Sequence, residues 1–174
     1  MLFRSIQLRA PGLTWMRMPF FTWTQFVTAF ILLLAFPPLE AAGILQLVDK
    51  VLGSSFFIPT GLVVSGKPYD VSGGGSPLLW QHLFWFLGHP EVYVLILPAM
   101  GVVSEIVACN TRKPLWGYKS LVYSVLAVGF ISFIVWAHHM YLTGMGTKIS
   151  TFLDRKSTRL NSSHSQQSRM PSSA

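Results

Sequence analysis

Charge is what this sequence has least of: Asp, Glu, Lys and Arg make up 11% of its 174 residues, and 51% are hydrophobic. An ordinary soluble domain carries about 25% charged residues. The deficit excludes a typical water-soluble globule and points to a membrane protein. Cysteine is nearly absent too. Cys109 stands alone, so no internal disulfide can form and thiols say nothing of the redox compartment. The N-terminus shows no short apolar stretch ending in a small-residue cleavage site, hence no secretory signal. No His-Glu-x-x-His occurs, which leaves zinc-protease chemistry unsupported. Gly73–Gly75 has no lysine after it and is no phosphate loop.

The formal charge of +7 suggests a nucleic-acid partner only at first sight. Asp154–Ala174 alone contributes Arg155, Lys156, Arg159 and Arg169 against Asp154, a net of +3. What remains suits a membrane segment with basic cytoplasmic loops, and no nucleic-acid partner is expected.

Three apolar runs dominate the chain: 19–48, in which Phe20–Phe36 is free of charge, 77–109 and 118–137. Each reaches the ~20 residues needed to cross a bilayer. The expected fold is therefore all-α, a polytopic transmembrane helix bundle with three transmembrane helices. The second run is longer than a membrane requires and carries Pro90 and Pro98, so it should kink and tilt. Asp49–Ser76 holds Gly53, Pro59, Gly61, Gly66, Pro68 and the glycine run, and reads as an irregular extramembrane loop. Arg9 and Arg17 precede the first run, and Arg112, Lys113 and Lys119 separate the second from the third. The long loop balances Asp49 and Asp70 against Lys50 and Lys67. Positive loops stay inside, so the first helix runs outward, the second inward and the third outward.

Past Leu153 the apolar pattern collapses into DRKSTRLNSSHSQQSRMPSSA. Its composition suits a disordered tail. DRKSTRLNSSH and SRMPSSA also resemble a common sequencing-library adapter translated in frame, and Leu2-Phe3-Arg4-Ser5 resembles the opposite adapter end. The expected division is adapter-derived residues at 1–5 and 154–174 around a membrane protein spanning 6–153.

Ionisable residues inside a bilayer are costly and mark functional candidates. The second run holds His82, His89, Glu91 and Glu105, with Tyr93 adding a phenol. Residues four apart share a helix face, so His89 and Tyr93 are expected together and Glu91 on the other side. Pro90 removes a backbone hydrogen bond beside them. His138 and His139 are adjacent, and on a regular helix they would point ~100° apart. Both reach one metal only where the helix ends or distorts, which Gly144 and Gly146 favour. Three imidazoles would leave a coordination position open. Imidazole suits copper, zinc, iron and nickel alike. The bland readings are real: a lone membrane histidine commonly packs or hydrogen-bonds, and Glu105 near the basic end reads as solvated. His82 lies roughly 10 Å along the helix from His89, too far to share a metal, and reads as structural. Trp85, one turn before His89, is placed to wall the site.

Arg9-Ala10-Pro11-Gly12, QHLFWFLGHPEVYVLILP (Gln81–Pro98) and FIVWAHHMY (Phe133–Tyr141) resemble subunit I of the haem–copper respiratory oxidases, over about Ile6 to Phe152. The resemblance places these runs at about the fifth to seventh helices of that family, of the A-type that includes cytochrome c oxidase subunit I. It implies that His89, His138 and His139 ligate the active-site copper. It implies that Tyr93 is the tyrosine covalently joined to the first of them, a donor of an electron and a proton when the O–O bond breaks. Glu91 matches the glutamate that gates proton delivery, and a buried position would suit it. Ser104, on nearly the same stripe as Tyr93, matches a serine of the second proton path.

The implied reaction is reduction of dioxygen to water with proton pumping. The implied cofactors are copper here and haem in the full-length subunit. The family's haem-ligating histidines, the lysine of the second path and the aspartate of the first lie on helices outside these stretches, so the chain alone is expected to be inactive. Expected partners are other oxidase subunits, the lipid bilayer and cytochrome c as electron donor. Quinol in a related oxidase is the alternative donor, and a non-enzymatic proton-conducting bundle the alternative function. The expected location is a bacterial cell membrane ahead of a mitochondrial inner membrane.

Overall fold

The first long helix ends and the second begins where the local chemistry dictates. The computed structural model describes residues 2–68, 74–144 and 146–152. The Ser-rich stretch 154–174 therefore lies outside the described residues. A short helix α1 (Leu2–Gln7) and a 3-10 turn (Trp15–Arg17) lead into α2 (Phe20–Leu52). α2 runs past the expected end at 48, to Leu52, where Gly53 adopts a left-handed φ of 68°. Glycine takes that conformation without strain and so terminates helices. At ~1.5 Å per residue, 33 residues span about 50 Å, well beyond the hydrocarbon core. Asp49 then folds the next loop back: its carboxylate accepts from the Ser54 hydroxyl and from the backbone N–H groups of Phe56 (2.8 Å) and Phe57 (3.0 Å).

The described part of the following loop is less irregular than expected. It carries a small antiparallel hairpin, β1 (Val63–Val64) with β2 (Lys67–Pro68). Ser65 and Gly66, both with positive φ, make its turn. Ser76 caps α3 (Pro77–Thr111) by accepting from the Leu78 N–H at 3.2 Å, with Pro77 at the first helical position. Pro90 and Pro98 do not divide α3, which continues unbroken for 35 residues.

The third segment departs most from the sequence expectation. Regular helix α4 (Tyr118–Ser132) stops five residues before the expected end at 137, and a 3-10 helix follows over Trp136–Thr143. Together they form the third of three helical segments, among the described residues, long and apolar enough to cross a membrane.

The core lies where α2 meets α3 and α4. Met18, Phe20, Trp23, Val27, Ile31, Leu97, Val122 and Val125 are buried together there. Small residues set the approach of the helices. A Cβ added at Gly101 would lie 2.4 Å from Thr24 Oγ1, and one at Gly129 would lie 2.6 Å from Val27. Such contacts replace the missing hydrophobic drive between helices in lipid.

Glu105 is not simply solvated, as its position near the basic end suggested. Its carboxylate accepts from the Phe21 backbone N–H at 3.3 Å. The first N–H groups of a helix have no partner within it, and Pro19 at the cap of α2 supplies no side-chain acceptor. A carboxylate from α3 fills that role and also favours the positive end of the α2 dipole.

Candidate metal centre

His89 sits on α3 and is 4% exposed. One turn earlier, Trp85 donates its indole N–H to Gln81 Oε1 at 3.0 Å, which fixes the indole plane. One turn later comes Tyr93, its ring 5.2 Å from the His89 ring at 70°. These residues occupy one stripe of α3, as four-residue spacing requires.

His138 and His139 arrive from the 3-10 helix that follows α4. Val135 (φ −101°, ψ 6°) has left α geometry before the pair, and Met140 (φ −126°, ψ 28°) is non-helical after it. Gly144, at φ 83°, ends the segment. This distortion turns two neighbouring side chains towards one point. The His138 ring lies 4.5 Å from that of His89 at 89°, and 4.2 Å from that of His139. His139 stacks flat on Trp85, 4.0 Å between centres and 4° between planes. Its Nε2 is 3.2 Å from His89 Nδ1. Trp85 thus walls the site as its spacing suggested.

One nitrogen from each of His89, His138 and His139 can be chosen so that all lie within 4.8 Å of one another. Packing alone explains this convergence poorly. His89 Nε2 and His138 Nδ1 are buried and have no hydrogen-bond partner among the described residues. A buried polar atom left unpaired costs about 1–3 kcal/mol. A metal ion would turn such nitrogens from a cost into bonds, and neutral imidazole suits copper as it suits zinc, iron and nickel. The residues present therefore fit a copper ion.

The other candidates fall elsewhere. Glu91 points away from the imidazoles and, contrary to the expectation of a buried carboxyl, is exposed. Two residues beyond His89 means roughly 200° around the helix, off the shared face. It borders a cavity of about 110 Å³ with Leu32, Ala35 and Phe36 of α2. Ser104 and Tyr93 line one larger cavity of about 340 Å³ between α3 and α4, together with Ser124. His82 stays apart from the three-histidine cluster, and its Nδ1 accepts the indole N–H of Trp136 at 3.3 Å. Gln81 and Trp136 were not singled out from sequence. The position of Trp136, two residues before a histidine pair, was the available signal.

Residues 1–155 match the family model described as cytochrome c and quinol oxidase polypeptide I. The chain is 48% identical over 141 residues to cytochrome c oxidase subunit 1 of Bacillus sp. (strain PS3), covering 81% of this chain and 21% of that protein. It is 50% identical over 140 residues to alternative cytochrome c oxidase subunit 1 of Bradyrhizobium diazoefficiens, covering 80% and 23%. It is 51% identical over 144 residues to cytochrome c oxidase subunit 1 of Corynebacterium glutamicum, covering 83% and 22%. The chain thus spans about a fifth of the length of the curated relatives it matches.

Proposed function

Since the chain belongs to the cytochrome c and quinol oxidase polypeptide I family, an oxidoreductase family of integral membrane proteins, we propose that it is part of the catalytic subunit of a terminal oxidase. That enzyme reduces dioxygen to water with proton pumping, takes electrons from cytochrome c, and works beside other oxidase subunits. The observation that carries this reading is the convergence of His89, His138 and His139 with two buried nitrogens unpartnered.

In this reading the three imidazoles hold copper, and haem binds elsewhere in the full-length subunit. When bound, the copper supplies a redox-active centre at which dioxygen is reduced. The chain's own residues do the rest. Trp85 fixes the plane of His139 by stacking. Tyr93, in edge contact with His89, is placed to donate an electron and a proton beside the metal. Ser104 opens on the same cavity as Tyr93 and would pass protons towards it from the basic end. Glu91 serves a separate route on the opposite face of α3. In the full-length subunit, neighbouring helices would cover it, as the cost of an intramembrane carboxyl facing lipid demands.

The relatives matched here come from bacteria, which favours a bacterial cell membrane over a mitochondrial inner membrane. We take residues 1–5 and 154–174 to derive from adapter DNA. Long-read sequencing of the source locus past the codon for Leu153 tests this. A frame that continues into another apolar span supports it, and a genomic Ser-rich tail followed by a stop overturns it.

The functional test uses the full-length subunit assembled with its partners. Oxygen uptake with reduced cytochrome c, abolished by His89→Ala, His138→Ala or His139→Ala, is the expected result. Uptake with quinol alone would reassign the donor. Undiminished uptake in all three variants would overturn the copper assignment.

A further inference from the structure

The 3-10 helix that carries His138 and His139 has little of its own to hold it in place. Its N-terminus has no side-chain cap, and a non-helical Met140 interrupts it. Left-handed glycines stand at 144 and 146 just beyond. 3-10 geometry has poorer hydrogen bonds than α geometry and rarely persists over long runs. Its direction is also unusual. α4 runs antiparallel to α3, so continued advance would carry each later residue towards the start of α3. Trp136 already meets His82 and Phe86. His138 and His139 nevertheless lie back at Trp85 and His89. The side chains that follow Trp136 thus reach back along α3, and this is what lets two adjacent histidines converge with His89.

Trp136 is anchored at the start of this 3-10 helix. Its indole N–H donates to His82 Nδ1 at 3.3 Å, with ring centres 6.3 Å apart at 72°. Its other contact, Phe86, lies at 5.4 Å and 67°, and Phe86 also packs on Phe133 at 5.4 Å. Aromatic packing is sequence-tolerant and permits sliding. The hydrogen bond, made at an exposed position near the start of α3, is the directional element of this contact.

We propose that His82 is a positioning residue for the metal centre: by accepting the Trp136 indole N–H it clasps the 3-10 helix to α3 and keeps His138 and His139 converged with His89. This rests on the copper reading above. His82 takes no part as a ligand. Its imidazole is needed only as an acceptor at the Nδ1 position, which Asn can reproduce, because Oδ1 lies the same number of bonds from Cβ.

The test uses the full-length subunit that contains these helices, assembled in lipid nanodiscs, depleted of copper and titrated with Cu(I) in competition with a colorimetric chelator. Circular dichroism runs alongside as a check on helix content. Outer partners of a metal site typically change affinity 10–100-fold, so His82→Leu and Trp136→Phe should each weaken copper binding by about tenfold. The double variant should be no weaker than either single one. His82→Asn should stay within about threefold of the parent, since it restores the acceptor. The indole 15N–1H resonance of Trp136 should shift in His82→Leu and return towards its parent position in His82→Asn, before any copper is added. If His82→Leu fails to fold, Trp136→Phe and His82→Asn decide the matter. Parent-like copper affinity in Trp136→Phe overturns the clasp, as do independent, multiplying losses in the double variant. A parent chain that takes up no copper overturns the copper reading and this inference with it, whereas a binding parent with equally binding variants overturns the clasp alone.

Discussion

The two ends of this helix bundle are held by different means. At the basic end the chain is tied to itself by hydrogen bonds between distant segments. Tyr118 donates its hydroxyl to the Met18 carbonyl. Trp23 donates its indole N–H to the Trp15 carbonyl at 3.0 Å, and Glu105 accepts from Phe21. The Arg9 guanidinium lies 4.2 Å from the centre of the Trp15 ring, an arrangement cation–π attraction favours. At the other end three imidazoles face one another, and two of their buried nitrogens have no partner among the described residues. The first end is held by these ties, although Arg9 Nε there is also buried without a hydrogen-bond partner among the described residues. The second accepts a local cost, which is the usual signature of a functional site.

This contrast can be broken most severely at the histidines. His89→Ala removes a buried imidazole of the proposed copper site, and its loss of Cu(I) affinity should exceed the 10–100-fold typical of outer partners, measured by competition with a chelator. Helix content should hardly change. A variant that binds copper as the parent does would return the cluster to ordinary packing.

Gly101→Ala should act the other way round. Its Cβ would meet Thr24 Oγ1 at 2.4 Å and the Phe21 backbone at 3.1 Å, so α2 and α3 must separate. Overpacking of this kind costs about 1–3 kcal/mol. Denaturant titration in mixed micelles should show that loss, with copper affinity of the folded chain kept within about twofold of the parent. An unchanged midpoint would mean that the helices are not closely seated at this crossing.

A smaller effect is expected at Tyr118. Tyr118→Phe deletes the bond to Met18 and should lower stability by about 1 kcal/mol in the same titration. Glu105→Gln should change stability still less, since an amide oxygen can keep the bond to Phe21 and only the charge at the α2 N-terminus is lost, about 0.3–1 kcal/mol.

The smallest effect sharpens the contrast between the two faces of α3. Glu91→Gln should leave copper affinity unchanged, because Glu91 borders the α2–α3 cavity and not the imidazole cluster. A copper affinity that falls with Glu91→Gln would join two sites held here to be separate.

The apolar runs were legible because crossing a bilayer imposes a length and a composition on contiguous residues. The α3 stripe His89–Tyr93 followed from helical periodicity alone. The histidine pair was legible as a candidate, with the distortion it would need. Where that distortion begins was not: α4 ends at Ser132, and nothing in Phe133–Ala137 marks a boundary as Gly or Pro would. Glu105 was misread for a related reason. Its partner, the Phe21 N–H, lies 84 residues away in sequence, and backbone donors leave no trace in side-chain pattern.

By itself, then, the sequence determined that three segments suit the bilayer, which face of α3 carries an imidazole and a phenol, and which histidines are candidate ligands. These are properties of neighbouring residues and of one helix at a time. Only the tertiary structure decided that His138 and His139 meet His89, that Tyr93 and Ser104 share a cavity, and that His82 holds Trp136. Each of these depends on the distance between helices and on where one of them abandons regular geometry. Small residues at the crossings and hydrogen bonds between remote segments set those quantities, and no local pattern records them.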